Sequence, residues 1–301
     1  MDGRVLAPRS DLIGIGLAIS SAMAFGTLAI FAKEAYEAEA DPVPLLTIRF
    51  VVTAVILVGY QALRRATLSV GRDTIVKLLL LGAFGYAVEA SLFFLALERA
   101  PASVVGLVFY SYPLWTTLIA IALKMERFEK RLLIALALGT TGVASIFSLT
   151  GTPLAGPLFA LAAAVMVALF YIAAQVLTAG TSPSAAATWT AIGAALALGV
   201  VYLFMGGELP PGAIGPGIGL GVATSFAFIA TYAAIARIGS SRTAIANMME
   251  LVTTIVLAMI FLEEQPTLRV LIGAALVLSA IPILATGKRP PIPAADGTAS
   301  R

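Results

Sequence analysis

Cysteine and histidine are both absent from the 301 residues of this chain. The first absence rules out disulfides, and the two together rule out thiolate and imidazole metal sites and every Ser-His or Cys-His nucleophile pair. Charge is nearly as scarce. Asp, Glu, Lys and Arg make up 12% of the residues, against about a quarter in soluble domains. There is no glycine-rich phosphate loop ending in Lys-Ser/Thr, so the chain by itself is not expected to use ATP. All the aspartates (Asp2, Asp11, Asp41, Asp73 and Asp296) fall at the edges of apolar stretches, in loops or in tails. An enzyme would have to work with Glu89 and Glu250, both deep in apolar sequence, so no catalytic residue, cofactor or metal is expected. The net charge of +3 does not point to nucleic acid, because the basic residues are scattered among loops.

What the chain has in excess is apolar length. Hydrophobic residues make up 60% of it and its mean hydropathy is +1.00, which leaves too little polar surface for a soluble helical protein. A bilayer core of roughly 30 Å takes about 20 apolar residues in a helix. Ten such stretches are predicted: Asp11 to Ala32, Val43 to Leu63, Thr74 to Glu98, Ala102 to Ala122, Arg131 to Ser148, Leu154 to Thr178, Ser184 to Met205, Gly212 to Arg237, Arg242 to Leu262 and Arg269 to Thr286. The fold expected is an all-α polytopic membrane protein, with tails at 1–10 and 287–301. The first stretch is long enough to span and lacks a small-residue cleavage site, so it does not read as a signal peptide.

Basic residues set the expected orientation. With ten spans, one side collects Arg4, Arg9, Arg64, Arg65, Arg72, Lys77, Lys124, Arg127, Lys130, Arg131, Arg237, Arg242, Lys288, Arg289 and Arg301. The other keeps only Lys33, Arg99 and Arg269, and Arg49 lies inside a span. Positive charge marks the cytoplasm, so both termini are expected there.

The chain also repeats itself. At one constant offset Arg99 falls on Arg237, Glu126 on Glu264 and Arg131 on Arg269, together with a scatter of Ala, Leu, Ile, Ser and Thr matches. The units would run over 11–148 and 154–286 with five spans each. An odd number forces opposite orientations, so two inverted five-helix repeats around a central cavity are expected. The segments LALERAPASVVGLVFYSYPLWTTLIAIALKME (Leu95 to Glu126) and YAAIARIGSSRTAIANMMELVTTIVLAMIFLEE (Tyr232 to Glu264), with PLLTIRFVVTAVIL (Pro44 to Leu57), carry a family resemblance. The chain resembles the drug/metabolite transporter superfamily, with its EamA-type twin repeat. Within it, VFYSYPLWT (Val108 to Thr116) is most similar to bacterial amino-acid exporters of the YddG type. That resemblance implies export of amino acids, aromatic ones included, through a central cavity, and an exporter or facilitator in the bacterial inner membrane is expected.

Charged groups deep in a bilayer cost at least ~2.5 kcal/mol and usually face a cavity or a partner. Thr243, Asn247, Glu250 and Thr254 share one helical face, and the repeat maps it onto Val105, Phe109, Tyr112 and Thr116. A carboxylate and an amide on one wall would then oppose two rings on the other, which suits a zwitterion with an apolar side chain. The alternative is that Asn247 and Glu250 bond to neighbouring helices. Glu89 shares a face with Tyr86 and Phe93, and it could line the cavity or pair with Arg49. For Arg49 a structural or interfacial role is expected. Tyr171 with Gln175, and Tyr232, add polar-aromatic positions, and Pro113 is a candidate hinge. Glu126 and Glu264 are expected to cap or tether loops. The partners expected are a small-molecule substrate and the bilayer, with one copy sufficient. Other small metabolites or cationic drugs are the alternative substrates, and a membrane enzyme or structural subunit the alternative class.

Overall fold

A computed structural model describes residues 8–65, 70–97, 99–100, 102–126, 128–146, 154–261 and 268–285. The expected tails lie largely outside these residues, as does Glu264. Among the described residues every regular element is helical. The first span is α1 (Pro8–Gly26) followed by α2 (Leu28–Glu37), and the second is α3 (Pro42–Leu63). The third runs through α4 (Arg72–Leu80), a π-helical turn at Leu81–Tyr86 and α5 (Ala87–Leu97). Then come α6 (Ala102–Phe109) with α7 (Tyr112–Ala122), and α8 (Lys130–Ile146), which closes the first half. The second half holds α9 (Ala155–Leu177), α10 (Pro183–Met205), α11 (Pro211–Ile238), α12 (Ser240–Ala246) with α13 (Met249–Phe261), and α14 (Leu268–Ala285).

Seven of these runs are long and apolar enough to cross a membrane. The closing helices α8 and α14 are shorter, at 17 and 18 residues, near the lower limit for a span. The fourth run is split, so neither piece reaches that length alone. Val55, Leu196, Val222 and Phe226 lie mid-helix and are more than half exposed. An aqueous surface would not tolerate such a belt, whereas lipid does.

Packing repeats between the halves. α8 packs on α14 and α3 on α10, each pairing a helix with its equivalent, and α7 packs on α12 where the equivalent fourth and ninth spans meet. The contact of α1 with α11 is matched by that of α9 with α5, and the contact of α1 with α13 by that of α9 with α7. Exchanging the halves therefore reproduces the main contacts, as a pseudo-two-fold axis requires. Equivalent helices run in opposite directions. α7 ends where α12 begins, at an end marked by the 3.7 Å contact of Glu129 with Arg242. At the other end the Glu208 N–H donates to the Asp41 carboxylate at 2.8 Å, joining the turn after α2 to that after α10.

Glycine sets the closest approaches. A Cβ on Gly82 would overlap the Thr190 carbonyl and one on Gly193 the Leu79 carbonyl, so α10 meets the third span backbone to backbone. The π-helical turn sits at this contact. From its last residue onward, Tyr86, Glu89 and Phe93 face the same way, toward the centre of the bundle.

Candidate functional site

Three spans are interrupted near the bundle centre. The first breaks at Thr27, whose N–H and hydroxyl both bond to the Ala24 carbonyl. The Thr254 hydroxyl, from α13, donates to the Gly26 carbonyl at 3.2 Å. The fourth breaks between Phe109 and Tyr112, and the ninth between Ala246 and Met249, at equivalent places in the repeat. Pro113 occupies the first turn of α7, where its fixed φ and missing N–H cost nothing. The ninth span breaks with no proline nearby, its turn tightened by Met248→Ile245 and Glu250→Asn247 backbone bonds.

These interruptions border a cavity of about 660 Å³, within the roughly 300–1,000 Å³ range of small-molecule sites. It runs from the bundle centre toward the end where α2 finishes and α3 starts, since its wall includes Tyr36, Leu45 and Leu46. Seven residues expected at a site line it: Tyr86, Glu89, Phe109, Tyr112, Tyr171, Tyr232 and Glu250. The Tyr112 and Tyr171 rings stack at 5.8 Å, and Phe93 meets Phe109 edge-on at 4.9 Å. The Tyr232 hydroxyl shares a 2.6 Å hydrogen bond with Thr190.

Asn247 and Gln175 stand elsewhere. The buried Asn247 donates its Nδ2 proton to the Tyr171 hydroxyl at 2.6 Å, so it sits behind a ring that lines the cavity. Gln175 accepts the Ser240 N–H at 2.6 Å through its Oε1. That contact ties α9 to the start of α12, one helical turn beyond the ring of Tyr171, and turns the amide away from the cavity.

Arg49 and Tyr110 are among the lining residues that were not read from the sequence as such. Arg49 was expected in a structural role, with snorkelling to the interface as an alternative, and it also lines the cavity. Its Nε donates to the Thr224 hydroxyl at 2.8 Å and its guanidinium carbon lies 5.0 Å from the Phe50 ring centre. Snorkelling outward would forfeit both contacts and remove the guanidinium from the cavity it shares with Glu89 and Glu250. Tyr110 faces Glu250 and also lines the cavity. A continuous helix would point it away from Phe109 and Tyr112, and the break at 110–111 turns it inward. The signal was the density of aromatics in VFYSYP, which helical periodicity alone discounts.

The opposite, basic end is closed. Residues 240–248 are buried throughout. Glu126 is buried beside them, close to Gly239. Burial pushes its carboxyl up to about 7, outweighing the pull of Ser241 and of the Arg242 charge. Among the described residues no group of three or more Asp or Glu residues is placed to hold a metal ion.

Comparison with known proteins bears on the whole chain. No curated protein matches it. A crystal structure described only as that of a protein superposes with a TM-score of 0.78 at 18% identity, covering 92% of this chain and 98% of its own. That likeness shows a shared fold. The model of the EamA-like transporter family matches twice, over residues 12–148 and 154–286. With two matches spanning nearly all its residues, a helical bundle of membrane-length runs and a central cavity, this chain belongs to the EamA-like transporter family.

Proposed function

We propose that the protein carries amino acids, aromatic and apolar ones included, across the bacterial inner membrane by alternating access. The observation that carries this reading is the lining of the cavity, which sets one guanidinium and two carboxyls among aromatic rings. A zwitterion with an apolar side chain needs each of these: an acid for its ammonium, a base for its carboxylate, and rings for the rest. The cavity reaches one end of the bundle and is closed at the other, as a carrier with one accessible side at a time requires. The two matched segments support units over 11–148 and 154–286, and the basic residues of 64–77, 124–131 and 237–242 support cytoplasmic termini. Residues of one copy line the cavity, which supports a monomer as the working unit.

Two carboxyls against one guanidinium favour a second reading, export of cationic amines. Proteoliposomes offered labelled amino acids and labelled organic amines separate the two. Saturable uptake of amino acids is expected, and Glu250→Gln should reduce it while expression and thermal stability stay close to those of the parent. Uptake of amines alone would overturn the amino-acid reading, and undiminished uptake by Glu250→Gln would remove that carboxylate from the site.

A further inference from the structure

Arg49 is the one basic residue among those lining the cavity. Its position is fixed from both ends. At the backbone, the Thr53 hydroxyl donates to the carbonyls of Arg49 and Gly221 at 2.8 and 3.1 Å. Gly221 lacks a Cβ where Val52 and the Arg49 carbonyl press closest, so α3 and α11 are in contact. At the head, Thr224 gives its hydroxyl proton to the Leu220 carbonyl at 2.7 Å, which leaves the oxygen's lone pairs free to accept from Arg49 Nε at 2.8 Å. Phe50, fully buried, flanks the guanidinium at 5.0 Å. Only Nε is used by these contacts. Among the described residues, no carboxylate forms an ion pair with the guanidinium and no protein acceptor takes its terminal N–H groups.

A guanidinium held by Nε and one face, with its outer edge unclaimed, presents two parallel N–H donors. That fork matches a carboxylate bidentately, and lysine cannot reproduce it. Those donors face a cavity that opens at one end, and a cargo that supplies an acid meets both at once with a charge-assisted pair. We propose that Arg49 binds the α-carboxylate of the cargo and makes a carboxylate a requirement for transport, with Glu89 and Glu250 left to the ammonium. This rests on the amino-acid reading and sharpens it: the site takes zwitterions and refuses amines that lack an acid. Thr224 is a positioning residue, which acts by aiming the fork.

The test compares phenylalanine, phenylalaninamide and 3-phenylpropionate as ligands of the purified full-length protein in detergent. Wild type should bind phenylalanine about tenfold to a hundredfold more tightly than the amide, the factor a charge-assisted pair provides. In Arg49→Gln the preference should vanish, through loss of phenylalanine binding with the amide little changed. Arg49→Lys should retain part of it, and Thr224→Val should narrow it while phenylalanine remains the better ligand. Thermal unfolding of each variant reports folding. If Arg49→Gln does not fold, Arg49→Lys and Thr224→Val decide, and an unaltered preference in both overturns the proposal. Equal weakening of phenylalanine and amide in Arg49→Gln also overturns it, since that is what loss of packing alone gives. The parent reading fails separately, if wild type binds the amide but neither carboxylate-bearing ligand.

Discussion

Tyr112 and Tyr171 form the floor of the cavity, and each is tied to the segment beneath it. The Tyr112 hydroxyl reaches the Ala244 carbonyl at 3.4 Å and the Tyr171 hydroxyl accepts from Asn247 at 2.6 Å. Truncating Tyr112 therefore removes ring surface that an apolar side chain would touch. Tyr112→Ala should weaken transport of large apolar amino acids roughly tenfold, about 1.4 kcal/mol, and that of small hydrophilic ones less. Uptake of phenylalanine and serine side by side checks this, and an equal loss for both would assign the residue to packing. Glu126 yields a pH dependence whose sign follows from its raised pKa. The folded protein holds this proton up to about pH 7, whereas the ordinary carboxyl releases it near 4.5. The folded state thus binds more protons in that window, and the group's contribution falls as pH rises through it. Melting temperature measured across that window should decline less steeply in Glu126→Gln than in wild type. Asn247 was legible in the sequence as a polar residue on the right face. Its role behind Tyr171 was not, because the partner ring comes from α9 and no local pattern links the two. Arg49 is the same case, its inward course depending on Thr224 of α11.

At the scale of elements, the helical runs were legible because lipid leaves backbone groups no partner but their own helix, and so demands long unbroken apolar sequence. The interruptions were only partly legible. Pro113 announces the break in the fourth span, but nothing in Ala246-Asn247-Met248 announces the equivalent break in the ninth. There the chain tightens through backbone bonds, in a region packed against α1, α7 and α9. The π-helical turn at Leu81–Tyr86 also has no local signature, and it lies where Gly82 and Gly193 bring two backbones into contact. Alanine scanning of the glycines separates contact from conformation. Gly82→Ala or Gly193→Ala should lower the melting temperature markedly, since the new methyl group meets a carbonyl. Gly199→Ala, in the same α10, has nothing within 4 Å of the added carbon and should leave stability unchanged or raise it by about 0.5–1 kcal/mol. Equal effects at all three positions would mean the close approach is not what holds α10 in place.

For the whole molecule, the contacts that survive exchange of the halves make topology a sharp expectation. The turns beside Asp41 and Glu208 share one end, and the Glu129–Arg242 contact marks the other. Reporter fusions within 64–77 should read cytoplasmic, and one after Pro42 periplasmic. The reverse result would invert the assignment of both ends together. The mouth of the cavity, bordered by Tyr36, Leu45 and Leu46, bears on inhibition as well as passage. A cargo completes its journey only if the walls can close over it, so the enclosed volume sets a ceiling on what is moved. A compound with the same ammonium and carboxylate but a tail too long for that volume would seat its head group and leave the tail in the mouth. On the proposed amino-acid reading it would compete with the cargo for the site, arrest the cycle with the mouth propped open, and act from that side of the membrane alone.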